Sequence, residues 1–243
     1  KVVLSGMGGD EVTGGYVTRY ALAPRHRVTG ADPFVTYRQA LNLPLAEFER
    51  RAAFTPDFLR ASGDLSCDAV IDDAIRAAPS EDPWDVIMHV DATQYLHGLL
   101  VLEDKLSMVH SLETRVPLLD NNLVDYLLKM PWSLLSDGQS GKILFREAVR
   151  PLVPDAIYRK PKMGFAPPDA SWYRGPLRSY IEAKLSPERV SRRGVFQPEW
   201  VAQKLAQHMN GEANYVVLLW SLLSFEVWCD QNGAFGGRTT LAA

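Results

Sequence analysis

The sequence has 243 residues, of which 47% are hydrophobic and 23% charged, and it carries a formal net charge of -3. That balance describes a soluble globular domain, or a piece of a larger protein, with enough apolar residues for a sizeable core. It gives no reason to expect nucleic acid as a partner, since duplex binding usually needs a concentrated basic face, and the pairs Arg50–Arg51 and Arg192–Arg193 read as solvated helix faces.

In chain order, Val2 to Leu4 reads as a buried strand that runs into a glycine-rich turn, Ser5-Gly6-Met7-Gly8-Gly9-Asp10-Glu11. Gly14-Gly15 follows, with Tyr16, Arg19 and Tyr20 on a helix or turn beyond it. From Asp32 onward the patterns are mostly helical. Asp32-Pro33 has the form of an N-cap followed by a first helical residue, and Glu81 to Pro83 is a similar start. The next helix carries Met88, Ala92, Tyr95, Leu96 and Leu99 at spacings of three and four, which predicts one apolar face. Pro117 must end any helix that enters 107–120. Short helices are expected over 121–129 and 141–149, each closed by prolines. An ordered loop is expected over 160–168, and helices from Trp172 to Asp230. The stretch Tyr215 to Trp228 is the most apolar; Ser221, Ser224 and Glu226 interrupt it, so it reads as a buried helix and not as a membrane span. Residues 1–232 are read as part of one domain and 233–243 as a flexible tail. A strand-like run that starts at residue 2, with no methionine before it, suggests that sequence is missing upstream.

The two cysteines, Cys67 and Cys229, have no spacing for a disulfide framework or a zinc site, and a reduced, cytoplasmic setting is the default reading. The five histidines show no paired metal spacing. Neither a signal peptide nor a membrane anchor is visible.

A strand that ends in Ser-Gly-x-Gly-Gly-Asp-Glu makes sense as a nucleotide contact. Glycines admit close backbone approach and positive φ, successive N–H groups can cradle an anion, and Asp10 is a hard oxygen ligand suited to Mg²⁺ carrying phosphates. A tight structural turn with solvated acids is the alternative on composition alone. The dinucleotide fingerprint fails, because its third glycine would fall on Glu11. Gly138 to Lys142 approaches a Walker loop, but the spacing is short and Ile143 stands where Ser or Thr is needed, so it reads as a turn and helix start.

Taken together, the landmarks resemble the asparagine synthetase family. They are residues 5–11 with Gly14-Gly15-Tyr16 and Arg19-Tyr20, then Glu103 to Asp120, Gly141 to Ala148, Lys160 to Phe165 and Leu218 to Leu223. They fall in the family's order from residue 1 to about 230. The resemblance implies that the chain, mainly α with one N-terminal strand, is the C-terminal portion of an α/β, N-type ATP pyrophosphatase-like synthetase domain. A preceding glutaminase domain would release ammonia from glutamine. The synthetase domain would use ATP and Mg²⁺ to activate aspartate as an acyl-adenylate, which ammonia converts to asparagine. Carried over by position, Ser5 and Gly6 contact ATP, Gly8, Gly9 and Asp10 hold pyrophosphate and metal, and Lys162 stabilises developing charge. Met7, Tyr16 and Asp104 line or brace the acceptor side. Glu113 and Arg115 form a structural ion pair, and Lys160 is a surface cation.

Two parts of the family pattern are missing: the pyrophosphatase loop Ser-Gly-Gly-x-Asp-Ser, and the glutaminase domain. The chain alone is therefore expected to be inactive. Met7 replaces an acid, and Leu102 a residue that is often basic. These departures leave open a related amidotransferase or cyclase acting on a different carboxylate. A reading from another class, a non-catalytic helical interaction module, does not account for the glycine-rich loop or for 160–165. A homodimer also stays open.

Overall fold

The computed structural model describes residues 1–22, 30, 32–41, 45, 49–63, 66–160, 164 and 169–235. They are mostly helical, with one short parallel sheet. The chain divides into two compact units, Lys1–Asn42 with Ser66–Lys162, and Leu43–Leu65 with Met163–Ala243.

In the first unit, β1 (Val2–Leu4) pairs in parallel with β2 (Glu113–Arg115), Val2 opposite Glu113 and Leu4 opposite Arg115. The second strand was not expected from the sequence: its three residues, Glu-Thr-Arg, carry no apolar alternation. The expectation that β1 is buried is also corrected, since Val2, Val3 and Leu4 are all exposed. Among the described residues β2 is the only strand beside it, whereas parallel strands are ordinarily covered on both faces.

Local signals set the helix starts. The Phe34 N–H donates to the Asp32 carboxylate at 2.8 Å at the head of the Pro33–Ala40 helix, and the Trp84 N–H to Asp82 at 2.9 Å at the head of Pro83–Val90. The Asp120 carboxylate accepts from the Asn122 and Leu123 amides and starts Asn121–Leu127. The Pro83–Val90 helix passes into a π-helical turn, Asp91–Tyr95, before Leu96–Val109. The expected apolar face runs on through that turn: Met88 and Leu96 are buried and Ala92, Tyr95 and Leu99 half-buried, while Thr93, Gln94, His97 and Gly98 between them are exposed. Tyr20, Tyr37, Trp84, Ile87, Leu127 and Leu135 form the centre of this unit's core.

The core of the second unit gathers Ile181, Val201, Leu205, Leu219 and Leu222 from the helices Arg178–Lys184, Pro198–Met209 and Val216–Asn232. Val216–Asn232 covers the expected apolar stretch, but it buries one side only; Val217, Trp220 and Trp228 face outward. Among the described residues no helix is long and apolar enough to cross a membrane. The expectation that Arg192–Arg193 is a solvated pair is corrected for Arg193, which is buried because it pairs with the buried Glu226 at 3.2 Å, while Asp230 receives Lys184 at 2.8 Å and Arg189 at 2.7 Å.

Candidate active site

The glycine-rich turn leaves β1 through Ser5, whose N–H donates to Arg115 O at 2.8 Å, so the parallel ladder itself aims the turn. The Met7 N–H donates to Ser5 Oγ at 3.2 Å, and the Gly9 N–H to Gly6 O at 3.2 Å. Gly8 then enters the left-handed region at φ 85° and caps the Gly9–Thr13 helix. A Cβ on Gly8 would stand 2.3 Å from the Leu119 side chain, and one on Gly9 2.7 Å from Leu118. These two glycines are thus explained by close packing on the Pro117–Leu119 turn. Gly6 differs: it is exposed and a Cβ there would meet nothing within 4 Å, so its backbone is open to an approaching ligand.

Asp10 lies on the first turn of that helix, a quarter exposed, with the Lys142 ammonium 3.1 Å from Oδ1. Lys142 is delivered by a hairpin: Ser136 and Gly141 bridge, and Ser136 Oγ donates to Ser140 O at 2.9 Å. The Gln139 N–H donates to the Asp137 carboxylate at 2.8 Å and the Ser140 N–H does so at 2.5 Å; together they hold that carboxyl below its ordinary range. Lys142 itself takes a left-handed backbone, φ 59° and ψ 30°, at the start of Ile143–Val149. A Cβ on Gly141 would stand 2.3 Å from Gly14 O, and one on Gly15 2.0 Å from Asp10 Oδ1. The pair exists because both positions lack side chains.

Behind the loop sits a buried polar cluster. The Tyr16 hydroxyl donates to Glu11 Oε1 at 2.6 Å. The Arg19 guanidinium lies 4.4 Å from the centre of the Tyr16 ring and 4.2 Å from that of Tyr95, and ion-pairs with Asp91 at 3.2 Å. The Tyr37 hydroxyl donates to the same Asp91 oxygen at 2.7 Å. Burial, and then the Glu11 carboxylate, push the Tyr16 phenol well above its usual range. It stays protonated as a donor and cannot serve as a base. Burial raises the Asp91 carboxyl, with Arg19 opposing.

Among the residues singled out from the sequence, Ser5, Gly6, Met7, Gly8, Gly9 and Asp10 come together on this loop. Tyr16 braces Glu11, and Asp104 is exposed on Leu96–Val109. Glu113 and Arg115 do pair, at 2.6 Å, but with side chains 54% and 65% exposed; the β1–β2 ladder supplies the firmer tie at that point. Lys162 lies outside the described residues. Lys142 was not foreseen as a partner of Asp10. The nearest signal in the sequence is Gly141 before it, in the segment 138–142 that departs from a Walker loop.

No group of three or more metal-ligating side chains occurs among the described residues. A single partly exposed carboxylate such as Asp10 is compatible with Mg²⁺, which is usually held through one or two carboxylates with the remaining positions left to phosphate and water.

A family model described as asparagine synthase matches residues 1–230. A Mycobacterium bovis protein with the provisional name asparagine synthetase (glutamine-hydrolyzing) is 28% identical over 255 residues, covering 94% of this chain and 39% of its own length. Asparagine synthetase (glutamine-hydrolyzing) 1 of Bacillus subtilis is 27% identical over 143 residues, 58% of this chain and 22% of that protein. Amidase chyE of Penicillium rubens is 36% identical over 109 residues, 42% of this chain and 16% of that protein. The chain thus spans well under half the length of these relatives.

Proposed function

Because the chain belongs to the asparagine synthase family, we propose that it is the C-terminal part of the synthetase domain of a longer amide-forming ligase, one that converts aspartate to asparagine through an aspartyl-AMP intermediate with ammonia taken from glutamine. The observation that carries this reading is the loop after β1, which brings an open Gly6, Ser5 and a partly exposed Asp10 to one strand end. Activation as an adenylate gives the acceptor carboxyl a far better leaving group than hydroxide and splits a hard amide synthesis into two steps.

In this reading Ser5 and Gly6 contact ATP and Asp10 faces pyrophosphate and Mg²⁺, while Gly8 and Gly9, expected from the resemblance to hold pyrophosphate, act through the close packing that presents Asp10. The metal, when bound, offsets phosphate charge. Lys162 stabilises the charge that builds on phosphate and on the tetrahedral intermediate. Tyr16 holds Glu11 and so steadies the helix that carries Asp10. The parallel β1–β2 pair is one edge of a larger α/β sheet of the N-type ATP pyrophosphatase kind, and other strands of the longer protein complete it. Cys229, buried as a free thiol, fits a reducing cytoplasm.

The test compares the full-length protein with residues 1–243 alone, each given ATP, Mg²⁺, aspartate and ammonium. Pyrophosphate and asparagine are expected from the first, and nothing above a boiled control from the second. Absence of both products from the full-length protein, with every acceptor-free control clean, sinks the reading.

Met7 favours a second reading, an acceptor other than aspartate. A thioether is a weak hydrogen-bond acceptor and cannot take a proton from an amine as a carboxylate can. Two fungal relatives are named as amidases and not as asparagine synthetases. If aspartate supports pyrophosphate release only in Met7→Asp, the natural acceptor is a different carboxylate. If the unaltered protein uses aspartate as well as the variant does, this second reading is wrong.

A further inference from the structure

Lys142 is one of the few non-glycine residues with a positive φ among the described residues, and its ammonium ends 3.1 Å from the carboxylate assigned above to the metal. Left-handed backbone at a residue other than glycine or asparagine is unfavourable, so something must hold it there. The hairpin 136–141 does so, and Gly141 and Gly15 clear the path: a Cβ on Gly15 would stand 2.0 Å from Asp10 Oδ1 and 2.5 Å from Lys142 Cε. Both side chains are about a quarter exposed, so the pair is accessible to ions and not locked in the core.

We propose that Lys142 is a positioning residue that occupies Asp10 until a metal–phosphate complex replaces it. The inference rests on the reading of Asp10 as a metal-facing carboxylate. A free divalent cation reaching Asp10 must displace the ammonium and leave it beside a second positive charge. A cation that arrives with phosphate brings anionic oxygens that compensate the released ammonium, and the four-carbon stem lets it swing. Lys142 therefore discourages free metal and couples metal binding to phosphate binding. The exchange makes and breaks ionic contacts only; no covalent bond changes. A lysine that merely tethered the hairpin would have the opposite signature, because its loss would loosen Asp10 and weaken metal binding.

The experiment titrates the full-length protein with Mn²⁺, reading free Mn²⁺ by electron paramagnetic resonance, with and without pyrophosphate. Lys142→Met is expected to bind Mn²⁺ alone tighter than the parent by about threefold, the scale of a partly exposed ion pair. The factor by which pyrophosphate tightens Mn²⁺ is expected to shrink in the same variant. Asp10→Asn is expected to weaken Mn²⁺ in every background. Lys142→Asn, which tolerates the left-handed backbone, replaces Lys142→Met if the latter fails to fold. Unchanged or weaker Mn²⁺ binding on loss of Lys142, while Asp10→Asn still weakens it, overturns the exchange and leaves the metal role of Asp10 standing. Unchanged Mn²⁺ binding in Asp10→Asn overturns both.

Discussion

The guanidinium of Arg19 lies 3.2 Å from the carboxylate of Asp91, and both side chains are shut away from water, Asp91 completely. The two residues are 72 positions apart, one on the short helix after the glycine-rich loop and the other opening the π-helical turn. Their pairing fastens the segment that carries Tyr16, and through the Tyr16 hydroxyl it reaches Glu11, the neighbour of Asp10.

Asp91→Ala is expected to destabilise the protein by about 3–5 kcal/mol, because it leaves a buried guanidinium without its counter-charge. Arg19→Met combined with Asp91→Leu should recover much of that loss, since no uncompensated charge remains. Urea unfolding of the two single variants and the double variant measures this. Simple additivity of the single losses would show that the ion pair is not what the site depends on.

Gly141→Ala and Gly15→Ala should differ in cost. The added methyl at Gly141 meets the Gly14 carbonyl oxygen at 2.3 Å, which is backbone and cannot swing away. At Gly15 it meets the Asp10 carboxylate and the Lys142 stem, both of which can rotate. Gly141→Ala should lose about 1–3 kcal/mol, in the range of overpacking, and Gly15→Ala less. Thermal melts of the pair settle the order, and a costlier Gly15→Ala contradicts the packing described here.

His208 should make stability depend on pH. It is fully buried; its Nδ1 accepts from the Tyr215 N–H at 3.1 Å, and its Nε2 has no hydrogen-bond partner among the described residues. Burial, and then the nearby Arg174 charge, lower its pKa, while Asp169 opposes. In the unfolded chain the ring titrates near its ordinary value of about 6.5. As pH falls below that value the unfolded state takes up the proton first, so the contribution to stability present above it is lost progressively down through the folded pKa. The urea midpoint should therefore drop between pH 7.5 and 5.5, and part of that drop should vanish in His208→Asn, which keeps an acceptor for Tyr215. An identical pH slope in the two proteins would show that other groups are responsible.

Lys162→Ala in the full-length protein should remove most synthetase activity, by roughly 10²–10³ in rate, and spare glutamine hydrolysis. Lys162→Arg should also fail, since a broad planar guanidinium does not replace a compact ammonium. Steady-state asparagine formation, assayed beside glutamate release, reads both. Near-native synthesis in Lys162→Ala would make Lys162 a surface residue and return the electrostatic role to other cations of the site.

What the sequence determined by itself is whatever short-range physics controls. Asp32 and Asp82 cap the helices their positions imply, because a side-chain oxygen two residues ahead of an orphaned N–H finds it with little freedom to lose. The glycine turn after Val2–Leu4 is readable from its own residues, and the ordered landmarks that resemble the family extend over the residues its model matches. Tertiary structure alone decided the pairings across distance. The strand Glu113–Arg115 exists because Val2–Leu4 lies beside it, and nothing in Glu-Thr-Arg announces a strand. Lys142 meets Asp10 only where a hairpin and two missing side chains converge, and Arg19 meets Asp91 across 72 residues. Such contacts form when packing of the whole unit offsets the entropy of closing long loops, and no stretch of a few residues holds that balance.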